Sequence, residues 1–340
     1  MTSRMLDEAR EAPDAVARLL AADGDGYLSL GSELRERPPQ ALLTIARGSS
    51  DHAAHYMAYL IMARFGRLVT SLPMSLVTLY GSRIRCDGLV SFAFSQSGQS
   101  HDLVVPTRLF RDGGARTIAF VNDATSPLAD AAQWAFDLHA GTETSIAATK
   151  SYIAQLVAGA RVVAAWQSDA ALQRALDTLP SVLQRATQQN WQRALDVLVD
   201  ADRLFVIGRG LGLALAMEAA LKFKEVCGIQ AEAFSGAEVQ HGPMALVDEG
   251  YPVVVFAPRG PAHAGLVALA ADMRRRGARV LLAAPATTPG SELALLETGT
   301  EDLDPISAIQ SFYPMVEALA RARGLDPDAP RHLAKVTLTH

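Results

Sequence analysis

The chain has 340 residues, 49% of them hydrophobic and 20% charged, with a formal net charge of −5. This is a globular composition long enough for two ordinary domains, and without a basic run it leaves no footprint for nucleic acid. Two distant cysteines, Cys86 and Cys227, lack metal-site spacing and fit a reduced, cytoplasmic setting; no signal peptide or membrane-length apolar run (about 18–20 residues) is present.

In chain order, the pattern predicts helical sequence over 5–36 and strands at 41–47, 89–95, 116–121 and 134–139. A long helical stretch follows at roughly 149–199, whose length and apolar content point to a subunit interface, then strands at 203–208, 253–258 and 279–284, and a last helix over about 305–323. Strands alternating with helices point to an α/β fold with parallel sheets. The two strand groups are related. A shift of 162 residues carries Ile45, Arg47, Gly48, Gly66, Phe94 and Gly98 onto Ile207, Arg209, Gly210, Gly228, Phe256 and Gly260. One residue of slippage later, Gly114-Ala115-Arg116 meets Gly277-Ala278-Arg279. Matches at turns and strand ends are where glycine recurs for backbone reasons. The expected organisation is a helical segment 1–36, a first α/β domain 37–165, a helical linker 166–199, a second domain 200–325 and a tail 326–340.

The run LVSFAFS ends abruptly in Ser95-Gln96-Ser97-Gly98-Gln99-Ser100, and a helical pattern follows. A buried strand that opens through hydroxyl residues and a glycine into a helix start presents unpaired backbone N–H groups and serine donors to an anion. No lysine ends the turn, so it is not a nucleotide P-loop, and the ligand expected is one phosphate on a small molecule. In doubly wound sheets ligands sit beyond the carboxyl ends of strands, here 47–51 and 95–100, and 208–212 in the second half. The second half carries APRG where the first has SQSG, so only the first half is equipped for phosphate.

The second half supplies other chemistry. Glu218, Lys222 and Glu225 stand at i, i+4 and i+7 of the pattern LGLALAMEAALKFKEVCG and share one helix face. On an arbitrary helix such a row is a solvated stripe; on a mostly apolar helix that starts at a strand's carboxyl end, it is a means of tuning a base. Glu232, Glu238 and His241 follow in a short irregular segment. His241 alone reads as a surface or structural histidine and has no metal-site neighbours. Lys335 lies near the C-terminus, where lysines usually fray, yet Leu333, Ala334, Val336 and Leu338 make the tail apolar. An amine in an apolar setting can form a Schiff base with a carbonyl.

Five segments in order, ARGSS (46–50), SQSGQS (95–100), AGTETSIAATK (140–150), EAALKFKEVCGIQAEAFSGAEVQHGPMALVD (218–248) and PRHLAKV (330–336), resemble the sugar isomerase (SIS) domains of phosphosugar enzymes. The resemblance is to the tandem pair that forms the isomerase half of glucosamine-6-phosphate synthase. It implies two SIS domains, each a parallel sheet between helices in a three-layer, flavodoxin-like, doubly wound fold. It further implies that Ser50, Ser95, Gln96, Ser97 and Ser100 bind a sugar phosphate, with Ile146, Ala148 and Ala334 as further substrate contacts. Glu225 would move the C1/C2 proton beside Glu218 and Lys222. His241 would open the ring, reaching into the neighbouring site of a homodimer, and Lys335 would be the Schiff-base lysine. Neither metal nor cofactor is implied.

The chain departs from the synthase pattern. Only about 40 residues precede the pair and no N-terminal cysteine stands as nucleophile, so glutamine-dependent amination is not expected. Ala148 replaces a serine and Gln99 an acidic residue, while DPDAPRHLAKVTLT and AATKSY are closer to stand-alone amino-sugar phosphate deaminases and isomerases. The expected reaction is glucosamine 6-phosphate plus water giving fructose 6-phosphate and ammonia. The alternatives are an isomerase or deglycase on galactosamine or fructosamine phosphate, a synthase-like isomerase, or a non-catalytic phosphosugar sensor.

Overall fold

Short β-branched and aromatic runs, each closed by a turn, build two sheets in the computed structural model, which describes residues 2–335. The elements of the first half are α1 (Arg4–Ala21), α2 (Gly24–Glu36), β1 (Ala41–Ile45), α3 (Gly48–Phe65), β2 (Val69–Ser71), α4 (Ser75–Thr78), β3 (Leu89–Ser95), α5 (His101–Asp112), β4 (Arg116–Val121), α6 (Pro127–Ala131), β5 (Trp134–Asp137) and α7 (Lys150–Gln167). Those of the second are α8 (Ala170–Ala186), α9 (Gln192–Leu198), β6 (Arg203–Gly208), α10 (Leu211–Cys227), β7 (Gln230–Ser235), β8 (Pro252–Phe256), α11 (His263–Arg275), β9 (Arg279–Pro285), β10 (Leu293–Leu295) and α12 (Asp304–Ala322).

All strand pairings are parallel, in the orders β2-β1-β3-β4-β5 and β10-β9-β8-β6-β7. Read from β7, the second order repeats the first strand for strand. The α/β class, the parallel sheets and the duplication are therefore those expected, and the order is the doubly wound one of flavodoxin-like folds. The repeat extends to backbone detail. Helices α3 and α10 each end at a left-handed glycine, Gly66 and Gly228, both with φ 62°.

The chain divides into two compact units. One comprises Asp14–Glu143 and Lys150–Asp177 with Ala334 and Lys335; its core joins Ile45, Ala93, Leu103, Phe110 and Val121 across β1, β3, β4 and α5. Beside these, Phe92, Phe120 and Phe136 stack across neighbouring strands. Tyr27 meets Phe136 at 4.4 Å between ring centroids and carries the Arg161 guanidinium 4.0 Å above its ring. The other unit comprises Thr178–Leu333 with Thr144–Thr149 and the N-terminal residues up to Pro13; Phe205, Ile207, Val255, Leu266 and Leu282 centre its core.

Differences from the sequence pattern have local causes. The helical start is two helices, parted where Asp23 takes a left-handed φ of 51°. The stretch 149–199 is three helices, α7, α8 and α9. Strands β2, β7 and β10 escape the pattern because β2 and β10 have only three residues and β7 mixes Gln230 and Glu232 into its run; edge position is not the cause, since β5 is an edge strand too and is legible. Glu232 thus stands on a strand, whereas Glu238 and His241 follow in an irregular, 3₁₀-rich stretch. A subunit interface formed by the 149–199 helices is ruled out over α7. Every residue from Lys150 to Trp166 is already buried within the single chain, where α7 packs with α2 and α3. Gly31 of α2 lies so close to the Ala165 carbonyl of α7 that an added Cβ would stand 2.5 Å from its oxygen. Among the described residues no helix is long and apolar enough to cross a membrane.

Both thiols are buried, and burial pushes Cys227 up to about 12 and raises Cys86. The thiolate is the reactive form. At pH 8, Ellman's reagent is expected to titrate neither cysteine in the folded protein and both in guanidinium; rapid native modification of Cys227 would contradict this packing.

Candidate active site

Strand β2 lies on one side of β1 and β4 on the far side of β3, so right-handed crossovers send α3 and α5 to opposite faces of the sheet. Accordingly α3 packs with α7, and α5 with α4 and α6. The crevice between the carboxyl ends of β1 and β3 is the switch point at which doubly wound sheets bind ligands. A cavity of about 350 Å³ occupies it, within the ~300–1,000 Å³ range of small-molecule sites. Its walls come from Arg47, Gly48 and Ser50 where β1 becomes α3, and from Ser95, Gln96, Ser97 and Ser100 where β3 becomes α5; Lys335 completes it.

The hydroxyls are arranged as donors. Ser95 Oγ accepts the Gly98 amide at 3.0 Å and Ser97 Oγ the Gln99 amide at 3.3 Å. Ser50 Oγ accepts the Gln155 side-chain amide at 3.0 Å. A serine whose oxygen already accepts a protein hydrogen bond keeps its proton to give to a ligand. Ser100 does not cap α5 with its side chain, and the first amides of that twelve-residue helix open at the same place. Among the described residues that line it, the cations are Arg47, tied to Asp102 at 3.1 Å, and Lys335. This donor set suits a phosphate monoester.

The turn depends on Gly98, which has φ 64°; an added Cβ would stand 2.1 Å from Ser126 Oγ. A side chain in that conformation costs ~1–2 kcal/mol before the clash is counted. Gly98→Ala is expected to destabilise the fold in urea titration and to abolish phosphate binding by calorimetry.

Lys335 does not sit in the apolar setting expected of it. Its Nζ donates to Glu143 Oε2 at 3.1 Å, and the Glu143 side chain is 0% exposed. Leu333 is 44% exposed and Ala334 is exposed; Val336 and Leu338 lie outside the described residues.

In the other unit, the row on α10 is no solvated stripe. Glu218 and Lys222 are 0% exposed, with Lys222 Nζ 3.2 Å from Glu218 Oε1 and 2.6 Å from Glu225 Oε2. Tyr313 donates its hydroxyl to Glu218 at 3.4 Å. Burial alone pulls the Lys222 ammonium down, but the two carboxylates outweigh it and hold Lys222 above the usual lysine range. Lys222 is therefore a fixed cation. Glu225 is part-exposed and borders a second cavity of about 260 Å³ with Gly228 and Arg331. His241 is exposed beyond the 3₁₀ turn Glu238–Gln240. Ile146 and Ala148 are half-buried in the 144–149 segment.

The structure thus gathers Ser50, Ser95, Gln96, Ser97, Ser100 and Lys335 around one cavity, and Glu218, Lys222 and Glu225 into one charged cluster. Sequence reasoning missed Glu143, Gln155, Asp102 and Tyr313. Of these only Glu143 lay in a segment already singled out, AGTETSIAATK. In the second unit's counterpart of the SQSG turn an arginine is tied to the start of α12. Arg259 binds Asp304 through both nitrogens at 2.7 and 2.8 Å and also donates to the Thr298 carbonyl at 2.9 Å. An added Cβ on Gly212, in the first turn of α10, would be 3.6 Å from Pro258.

A family model, the SIS domain, matches residues 37–165 and 197–320. The chain belongs to the SIS domain family. Among curated relatives, the glutamine–fructose-6-phosphate aminotransferase (isomerizing) of Aeropyrum pernix is 35% identical over 354 aligned residues, covering 97% of this chain and 56% of that protein. The SIS chain thus spans about half the length of the curated relatives it matches. Among solved structures, a Silicibacter pomeroyi protein provisionally named a phosphosugar isomerase superposes with a TM-score of 0.91 at 41% identity, covering 96% of this chain and all of the other. The fold is shared with a glucosamine-6-phosphate deaminase of Thermotoga maritima, at TM-score 0.79 and 20% identity over 99% of this chain and 100% of that one.

Removing one member of a buried ion cluster leaves uncompensated charge, at a cost of ~3–5 kcal/mol. Lys222→Met is expected to lose about that much stability in guanidinium unfolding, and a loss below ~1 kcal/mol would mean the cluster is hydrated.

Proposed function

We propose that this SIS protein is a phosphosugar enzyme acting on an amino-sugar phosphate, converting glucosamine 6-phosphate and water to fructose 6-phosphate and ammonia. The observation that carries this reading is the cavity at the β1/β3 crevice, where four serines, the α5 amides, Arg47 and Lys335 offer donors and positive charge to a phosphate monoester. The names of the relatives support the class: one is an isomerizing aminotransferase of fructose 6-phosphate, the other a provisional phosphosugar isomerase. The chain matches 56% of the aminotransferase, and amide transfer from glutamine is left out of the proposal.

In this reading Ser50, Ser95, Gln96, Ser97 and Ser100 hold the phosphate and so fix one end of an opened sugar; Ile146, Ala148 and Ala334 touch the remainder. His241 assists ring opening in the neighbouring subunit of a homodimer. Glu225 takes the C2 proton and returns it to C1, turning the C2 amine into a ketimine that water hydrolyses to ketone and ammonia. The buried Lys222 ammonium, braced by Glu218, holds the Glu225 carboxylate in place at 2.6 Å. Lys335 serves the carbonyl end. Fixing the open chain supplies much of the rate, since orientation alone is worth up to ~7–11 kcal/mol.

The test is a coupled assay of ammonia and fructose 6-phosphate from glucosamine 6-phosphate. Equal yields are expected, with Glu225→Gln lowering kcat by about 10²–10⁴-fold, the usual worth of a general base. Calorimetry should give the same fructose 6-phosphate affinity for both proteins. Sugar-phosphate binding without ammonia release would move the assignment to another phosphosugar; failure to bind any would remove the reading.

A further inference from the structure

Of the 31 lysines and arginines only four are lysine: Lys150, Lys222, Lys224 and Lys335. Arginine therefore carries nearly all of the positive surface charge. The lysines fall at the start of the buried helix α7, in and beside the α10 cluster, and at the crevice cavity. Lysine is the cation that can give up its proton, which arginine does not. Lys335 is the one at the cavity.

We propose that Glu143 is the positioning residue that fastens Lys335 to the cavity. The carboxylate is itself locked from behind. Ser151 donates its amide to Oε1 at 3.1 Å and its hydroxyl to Oε2 at 2.6 Å. Ser151 lies in the first turn of α7, where the helix dipole favours a negative charge. Oε2 also accepts Lys335 Nζ at 3.1 Å. A fully buried carboxylate is tolerated only with its charge answered, so the lysine is drawn in by the cost of leaving Glu143 without a cation. Arg47, at the start of α3, lines the same cavity as Lys335 and is paired with Asp102 of α5.

One turn further along α7, at i+4 from Ser151, Gln155 donates to Ser50 Oγ at 3.0 Å. A single buried helix face thus sets both a cation and a hydroxyl of the cavity. The consequence for sugar-phosphate binding rests on the function proposed above; the fastening of Lys335 does not.

The experiment uses ¹⁵N-lysine-labelled full-length protein and detects side-chain ammonium groups held long enough to escape rapid exchange. Wild type is expected to show a Lys335 signal, assigned by its loss in Lys335→Arg, and a Lys222 signal. Glu143→Gln should erase the first and keep the second, which reports an intact fold. Should Glu143→Gln lose both signals, Ser151→Ala, which only loosens the carboxylate, is expected to weaken the Lys335 signal alone. A Lys335 signal unchanged in these variants overturns the proposal. Calorimetry with fructose 6-phosphate separates the two claims. Weakening of about tenfold or more in Glu143→Gln is expected, a loss of ~1.4 kcal/mol. Absence of binding to wild type would strike the proposed function while the ammonium signals still judge Glu143.

Discussion

The reversal of winding between β1 and β3 is the constraint on which the candidate site depends. Because successive crossovers leave the sheet on opposite faces, no helix covers the carboxyl ends of these two strands, and two helix N-termini open into the gap. A ligand there meets the amides of two helix starts, which favour an anion. Serines at 50, 95, 97 and 100 add donors without bulk, and Gly98 lets the turn pass close under Ser126.

The duplicated unit carries the same reversal between β6 and β8, and the two copies have diverged in how they treat it. In the second, Arg259 reaches back to the buried Asp304 with a bidentate pair, while Pro258 lies against the first turn of α10. Its investment in buried charge moves along α10 instead, to Glu218, Lys222 and Glu225. Buried ion clusters are poor stabilisers compared with apolar packing of the same volume. In an otherwise apolar helix this cluster is the feature on which the proposed proton transfer rests.

Much of this was legible from the chain alone. The central strands were readable because burial on both faces demands continuous apolar runs, and the repeat was readable because turn glycines kept their spacing. Strands β2, β7 and β10 were not, since β2 and β10 are only three residues long and β7 carries Gln230 and Glu232, so none makes a long apolar run of its own. Helix α7 was readable as a helix but was assigned to a subunit interface. Its mostly apolar surface serves instead to pack it with α2 and α3 inside the chain. Among site residues the hydroxyl turn declared itself, whereas Glu143 and Gln155 did not: they meet Lys335 and Ser50 across 192 and 105 residues of sequence.

The sequence by itself determined whatever depends on neighbours along the chain: the alternation of strand and helix, the duplication, the anion-ready turn, and the i, i+4, i+7 row on one helix face. Tertiary structure alone decided which of these features are buried, and with what. It made the α10 row an internal charge cluster, gave Lys335 a carboxylate in place of an apolar pocket, and lined one crevice with hydroxyls while tying the turn of its twin to Asp304. The physical reason is that burial and ion pairing are set by contacts between residues far apart in the chain, which no local periodicity records.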